Sequence, residues 1–233
     1  MSPDPRQLIS RLRPLISSDQ AVEDRRRYFG IGQPPGVASF TGRRFEYLAG
    51  GGDRPTAANV VTADDLIAVQ ILSVTIPGEA ALDLLEGDVG GQLSALLHEI
   101  PNDMDMAEAG AADLSPGSPA DAAWRLLTDQ PGIGWVAAGK LLARKRPRLL
   151  PVYDQVVRCL LGRPKSFWLD LHAALRADDR ALHRELLALR RSAQVPEAIS
   201  ALRVCDVVLW MRHHAEHRGA DCNGQGHQPD GSS

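Results

Sequence analysis

Apolar residues recur along most of this chain at intervals of three and four, the spacing of a stripe buried on one side of a helix. Leu8, Ile9, Leu12, Leu15 and Ile16 follow it, and Asp4 to Phe29 reads as two short helices with the basic run Arg25 to Arg27 in the second. Gly30 to Gly36, holding Pro34-Pro35, interrupts the pattern. From Val37 to Leu48 the rhythm changes to a loose alternation around Gly42, with Phe40, Phe45 and Tyr47 as anchors. That alternation predicts a β-hairpin or a pair of short strands. Ala49 to Asp53, with three successive glycines, reads as its exit turn.

Helical spacing resumes after Thr62-Ala63-Asp64-Asp65, which has the form of an N-cap followed by an acidic first turn. The predicted helix carries Leu66, Ile67, Val69, Ile71, Leu72 and Val74 and stops before Pro77-Gly78. Further helices are predicted near Glu79 to Leu85 and Gly91 to Ile100. Pro101 to Pro119 is acidic and rich in Gly, Ala and Pro, so it reads as a mobile loop and the candidate boundary between two lobes. Ser118 or Asp121 is placed to cap a helix holding Trp124, Leu126 and Leu127. Helical patterns then cover Gly134 to Arg144, Tyr153 to Leu161, Ser166 to Arg176, Arg180 to Ser192 and Pro196 to His214. Residues 219–233 are polar and are expected to be disordered. The expectation is one mainly α domain over residues 1–218 with a small N-terminal β-hairpin.

Composition narrows the class. The 233 residues are 44% hydrophobic and 24% charged, ordinary for a globular domain, and only 5% aromatic, so Leu, Val, Ile and Ala must fill the core. A net charge of -3 supplies no general attraction to a polyanion, so any nucleic-acid contact has to come from a local patch. Three irregularly spaced cysteines, Cys159, Cys205 and Cys222, do not make a disulfide framework and fit a reducing cytoplasm. No apolar stretch is long enough to cross a bilayer, and no membrane association is expected.

One region carries a candidate chemistry. Gln130-Pro131-Gly132-Ile133-Gly134-Trp135 opens an Ala-rich helix, and Pro151-Val152-Tyr153-Asp154-Gln155-Val156-Val157-Arg158 follows soon after. Gly132 and Gly134 allow a tight turn between helices, Ile133 can plug the gap between them, and the amides opening the second helix can grip an anion. Lys140, Arg144 and Lys145, with Arg146 and Arg148, would extend that grip into a phosphate-binding surface. The plain alternative is a Pro-Gly helix break followed by a solvated basic C-terminus. Asp154 likewise has the position of an ordinary helix-start carboxylate.

The Pro131–Gly134 turn resembles the hairpin of helix-hairpin-helix DNA glycosylases, and Val152 to Arg158 resembles the segment that carries their aspartate. The apolar helix Leu66 to Thr75 is similar to one that these enzymes place before the hairpin. The resemblance implies DNA binding through backbone phosphates at Gly132, Ile133 and Gly134, with Asp154 stabilising an oxocarbenium-like sugar in base excision. Bifunctional members have a lysine where this chain has Val136, so the implied chemistry is monofunctional. No cysteine cluster suggests their iron–sulfur loop, and no cofactor is expected. More of the chain, from Phe40-Thr41-Gly42-Arg43-Arg44-Phe45-Glu46 through Ala138 to Pro147 and on to Trp210, resembles an uncharacterised domain family of high-GC bacteria, which implies no activity. The competing reading is a non-enzymatic helical protein whose hairpin is structural or meets a protein partner.

Two other sets of residues invite a functional reading. His213 and His217 share a helical face and precede Cys222 and His227, but the zinc-protease carboxylate is missing from between them, so a polar helix end and no metal site are expected. Gly50-Gly51-Gly52-Asp53 lacks the Lys-Ser/Thr of a phosphate-binding loop and reads as a turn. Cys159 and Cys205 lie in apolar helical patterns and read as inert core residues.

Overall fold

The apolar stripes fold into helices packed around one large core, with a small second cluster of Phe45, Ala68, Ala143 and Val152. A computed structural model of the chain describes residues 5–34, 36, 37, 39–162, 164, 166–217, 219 and 222. Among them the helices are α1 (Pro5–Ile16), α2 (Asp19–Phe29), α3 (Ala63–Gln70), α4 (Gly78–Glu86) and α5 (Asp88–Glu99). They continue as α6 (Pro119–Thr128), α7 (Trp135–Lys145), α8 (Gln155–Leu160), α9 (Phe167–Ser192) and α10 (Ala201–His213). The backbone of α9 leaves helical geometry at Ala177–Arg180, so its two halves match the two stripes in the sequence. None of these helices is long and apolar enough to cross a membrane.

Helix α10 is the centre of the fold. Every residue from Ala201 to Leu209 is buried, so it is enclosed on all sides rather than amphipathic. It packs on α1, α2, α8 and α9, while α1 lies along α9, joining the two ends of the chain. On the other side α4, α5, α6 and α7 pack in succession, and α3 crosses α7. Met106, Ala107, Ala109 and Leu114 belong to the same core, so the 101–119 segment, expected as a loop between lobes, packs against it. His172 Nε2 lies 2.9 Å from Ala109 O, and the Met106 N–H donates to Arg148 O at 2.9 Å.

The expected N-terminal β-hairpin is not formed. No strand occurs among the described residues, and 37–48 instead holds a 3-10 turn at Thr41–Arg44, followed by another at Leu48–Gly50. The cause lies far away in the sequence. The Arg144 guanidinium donates to the carbonyls of Phe45, Glu46 and Leu48, which a strand would have offered to a neighbouring strand. Neighbouring strand carbonyls point to opposite sides, whereas those of Phe45 and Glu46 converge on one nitrogen. Gly42 also sits so close to Tyr28 Oη and Leu72 that a Cβ would lie 2.2 and 2.7 Å from them. The glycines after it are packed as well, with Gly51 and Gly52 buried and Gly52 against Arg144.

Helix α3 also stops short of its stripe, at Gln70 rather than Val74. The Thr41 hydroxyl donates to Ile71 O at 3.0 Å, and Lys140 Nζ donates to Leu72 O at 2.9 Å. These side chains take carbonyls that the next helical turn would have used.

Of the five basic residues after the turn, Lys140, Arg144, Lys145 and Arg146 are buried, and the exposed Arg148 pairs with Asp105 at 2.6 Å. Lys140 is 4% exposed, Arg144 1%, Lys145 0% and Arg146 1%. Asp65, itself fully buried in the first turn of α3, receives Arg144 Nε at 3.1 Å and Lys145 Nζ at 2.7 Å. It also accepts from the Thr62 N–H and hydroxyl, each at 3.0 Å, which closes the start of α3. Arg146 reaches the other way, donating to Ala58 O, to Asn59 Oδ1 and to Leu97 and Ile100 at the end of α5. A helix end and an irregular loop leave carbonyls that must find donors once buried, and these guanidinium groups supply them.

This arrangement predicts a large stability difference between two arginines. Arg144→Met leaves Asp65 and three carbonyls short of a donor and should cost about 3–5 kcal/mol in urea unfolding. Arg125→Met removes only an exposed pair with Asp121 and should cost below about 1 kcal/mol. Equal losses in the two variants would contradict the structural role of Arg144.

Candidate functional site

A cavity of about 390 Å³ opens where α7, the start of α8 and α10 meet the 40–42 and 71–74 segments. It lies in the size range of ligand clefts, about 300–1,000 Å³. Its charged lining is a row: Asp154, Lys140, Asp206 and Arg203. Tyr28, Phe40 and Trp210 supply aromatic wall, with the Tyr28 and Phe40 rings stacked at 5.2 Å and Trp210 edge-on to both.

Asp154 reaches the cavity because it is the N-cap of α8. Its Oδ1 accepts from the N–H groups of Val156 and Val157 at 3.0 and 3.1 Å, which fixes the carboxylate at the helix start. Its Oδ2 lies 3.5 Å from Lys140 Nζ. Val136 and Lys140 are one turn apart on α7, so the same face of that helix brings both to the cavity. Burial lowers the Lys140 pKa, and the nearby Asp154 and Asp206 charges act against that shift.

Arg203 and Asp206 were not singled out from the sequence, although a signal was present. They are charges inside an otherwise apolar helix, which forces burial and pairing, and at i, i+3 they can pair with each other. Arg203 bonds Asp206 and also donates to Tyr28 Oη at 2.5 Å and to Gly42 O at 3.0 Å. Burial raises the Asp206 carboxyl to about 6 against the pull of Arg203, with Asp154 adding to the rise and Lys140 opposing it. Glu46, also buried, accepts from the Ser200 N–H at 3.0 Å and the Ser200 hydroxyl at 2.7 Å, at the N-cap of α10. Burial pushes it up to about 7, with the Ser200 bonds and Arg203 opposing.

The turn itself is at the surface. Gly132 takes φ +80° with its Cα close to Pro77, where a Cβ would lie 2.5 Å from the ring, so both backbone and space require glycine. Ile133 is buried in the core, and Gly134 is exposed. Gly134 caps α7 without a side chain, so the first N–H groups of α7 have no intrahelical acceptor. Of the residues expected to bind phosphate, Gly132 and Gly134 are therefore accessible, whereas Lys140, Arg144 and Lys145 are enclosed.

A second cleft, of about 490 Å³, lies on the other side of α7. Trp135 and Gly139 border it, together with Trp124, Tyr153, Phe167 and Trp168. Tyr153 stacks on Phe167 at 4.0 Å, and Arg158 lies over the Trp135 ring at 5.4 Å. Trp135 thus faces a groove beside the turn, away from Asp154.

The family model for DUF6308, described as a family of unknown function, matches residues 21–213. The chain belongs to that family. The match takes in the cavity from Tyr28 to Trp210, including Asp154, Lys140, Arg203 and Asp206. No curated protein and no solved structure matched the chain.

Cys159 is buried, as its apolar helical setting predicts, and it has polar neighbours. Its sulfur, ring nitrogens of His213 and His217, and the sulfur of Cys222 all lie within 4.8 Å of one another. His227, which follows them in the sequence, lies outside the described residues, as does the 219–233 tail apart from Gly219 and Cys222.

The Glu46 carboxyl generates a pH test. A carboxyl raised by folding is more readily protonated in the folded chain, so its contribution is most favourable below 4.5 and is lost as pH rises through about 7. The Tm advantage of wild type over Glu46→Gln should therefore shrink from about pH 5 to about pH 8. A difference that grows over that window would contradict the raised value.

Proposed function

We propose that the cavity receives a nucleobase turned out of a DNA strand and that Asp154 acts at its N-glycosidic bond. The supporting observation is a shared lining: Asp154 and Val136, in the first turn after Pro131–Gly134, border the same cavity. A phosphate held at the exposed turn would bring the neighbouring nucleotide toward that carboxylate. The ionised carboxylate would stabilise positive charge developing on the sugar and orient a water for attack at the anomeric carbon. Lys140, fixed between Leu72 O and Asp154, orients the carboxylate. The aromatic wall offers faces for the base.

The burial of Arg144 and Lys145 changes the form of this reading. Phosphate contact falls to the turn and the first amides of α7, a small footprint with a shallow salt dependence. The chemistry is hydrolytic, because Val136 occupies the position of the nucleophilic lysine in the bifunctional glycosylases that the turn resembles.

The first test is binding to a duplex carrying an abasic-site analogue, measured by fluorescence anisotropy over a salt series. Gly134→Asp is suited to it, because the backbone there is extended and a Cβ meets nothing within 4 Å. Aspartate also suits an N-cap, so the variant should fold while placing a negative charge over the amides. Wild type should bind at low salt and the variant should not. No wild-type binding by the folded protein would remove the nucleic-acid reading.

The second test is base release from duplexes carrying alkylated, deaminated or oxidised bases. Asp154→Asn should lower the rate about 10²–10⁴-fold with the fold intact by circular dichroism. Release at the wild-type rate by this variant would remove Asp154 from the chemistry. Borohydride should trap no covalent enzyme–DNA adduct.

A further inference from the structure

We infer that Cys159, His213, His217 and Cys222 hold a structural zinc ion that ties the segment after α10 to α8. His213 is the last residue of α10, and His217 lies four residues on, just past the helix end. Their centroids are 5.6 Å apart. Helix α8 packs on α10 and brings Cys159 to the same place. The Cys222 N–H donates to Gly219 O at 3.2 Å, and Cys222 is 9% exposed.

The spacing suits a tetrahedral ion. Zinc binds sulfur at about 2.3 Å and nitrogen at about 2.0 Å, so its ligand atoms stand about 3.3–3.8 Å apart. Here the four lie within 4.8 Å of one another, and His213 Nε2 is already 3.0 Å from Cys222 Sγ. Cys159 Sγ, which donates to Cys222 O at 3.1 Å, would turn from that carbonyl toward the ion. The burial pattern points to a ligand as well: His217 Nδ1 is buried without a hydrogen-bond partner among the described residues. A buried ring nitrogen in that state costs stability unless something fills the role.

The charge balance is also right for a buried site. Two cysteine thiols give up their protons to solvent on binding, and the two thiolates cancel the charge of Zn²⁺, while both imidazoles bind neutral. Four protein ligands leave no open position for substrate, so the ion is structural. Its position still matters to the cavity. His217 lines the cavity wall, and Cys159 lies on the same short helix that Asp154 caps. Metal binding would hold both in place without taking part in any reaction.

The test uses the full chain purified under reducing conditions without chelator. Elemental analysis should find about one zinc per chain. After zinc is removed, Co²⁺ should restore a tetrahedral d–d spectrum in the red together with a near-ultraviolet thiolate-to-cobalt band. Cys159→Ser and Cys222→Ser should each remove most of the bound metal, whereas Cys205→Ala, outside the cluster, should retain it. A wild-type protein that is folded and reduced, yet carries no zinc and gives no tetrahedral cobalt spectrum, would overturn the inference whatever the variants do. So would a cobalt spectrum that survives the loss of both sulfurs, or isolation of a Cys159–Cys222 disulfide in place of the metal.

Discussion

The contact on which the rest of this fold depends is the buried meeting of Asp65 with Arg144 and Lys145. It joins the first turn of α3 to the last turn of α7, so each helix end offers the partial charge that complements its partner. An isolated carboxylate could not be buried there. Two cations and the Thr62 donors surround it. The same guanidinium then fixes the 45–48 segment, and Arg146 fixes 58–59 and the end of α5. A planar fork with five donors can do this, whereas a lysine presents a point charge. The irregular region from 41 to 61 thus gains the backbone partners that a sheet would otherwise have provided.

Through that framework α7 is held with two working faces. Val136 and Lys140 look into the charged cavity, and Trp135 and Gly139 look into the aromatic cleft. Small residues make this possible. Ala137 and Ala138 are buried, and α3 and α6 both pack on this helix. The cavity gathers two acids and two bases at close range, so its net charge depends on the protonation of Asp206 near pH 6. Charged groups held by others in this way keep fixed positions around the cavity.

Most of the helices were legible in the sequence because their stripes report local geometry. The two halves of α9 and the Ser118 cap of α6 follow directly from residues within a few positions of one another. What was not legible depended on distant partners. The alternation at 37–48 suggested strands because nothing local shows that Arg144 will take the carbonyls. The run from Lys140 to Arg146 showed charge without showing direction, and its residues point inward to Asp65 and to loop carbonyls. Asp154 and Lys140 were each singled out, but for different roles, and their meeting at 3.5 Å could not be read from spacing. Cys159 joins His213 and His217 from another helix, so the i, i+4 pattern exposed only half of that cluster.

The arginine-held loop also constrains the order of assembly. Its carbonyls lie almost one hundred positions upstream of their donors, with separations of 96 to 99 residues for Arg144. Helix α1, at the very start, packs against α9 near the other end. A chain emerging from the ribosome therefore exposes the 41–61 segment with no donor for its buried carbonyls until Arg144 and Arg146 have been synthesised. Contacts of such sequence separation close late and with a large loop-entropy cost. During synthesis the N-terminal half is an incomplete structure whose apolar and polar groups stay exposed until the second half arrives.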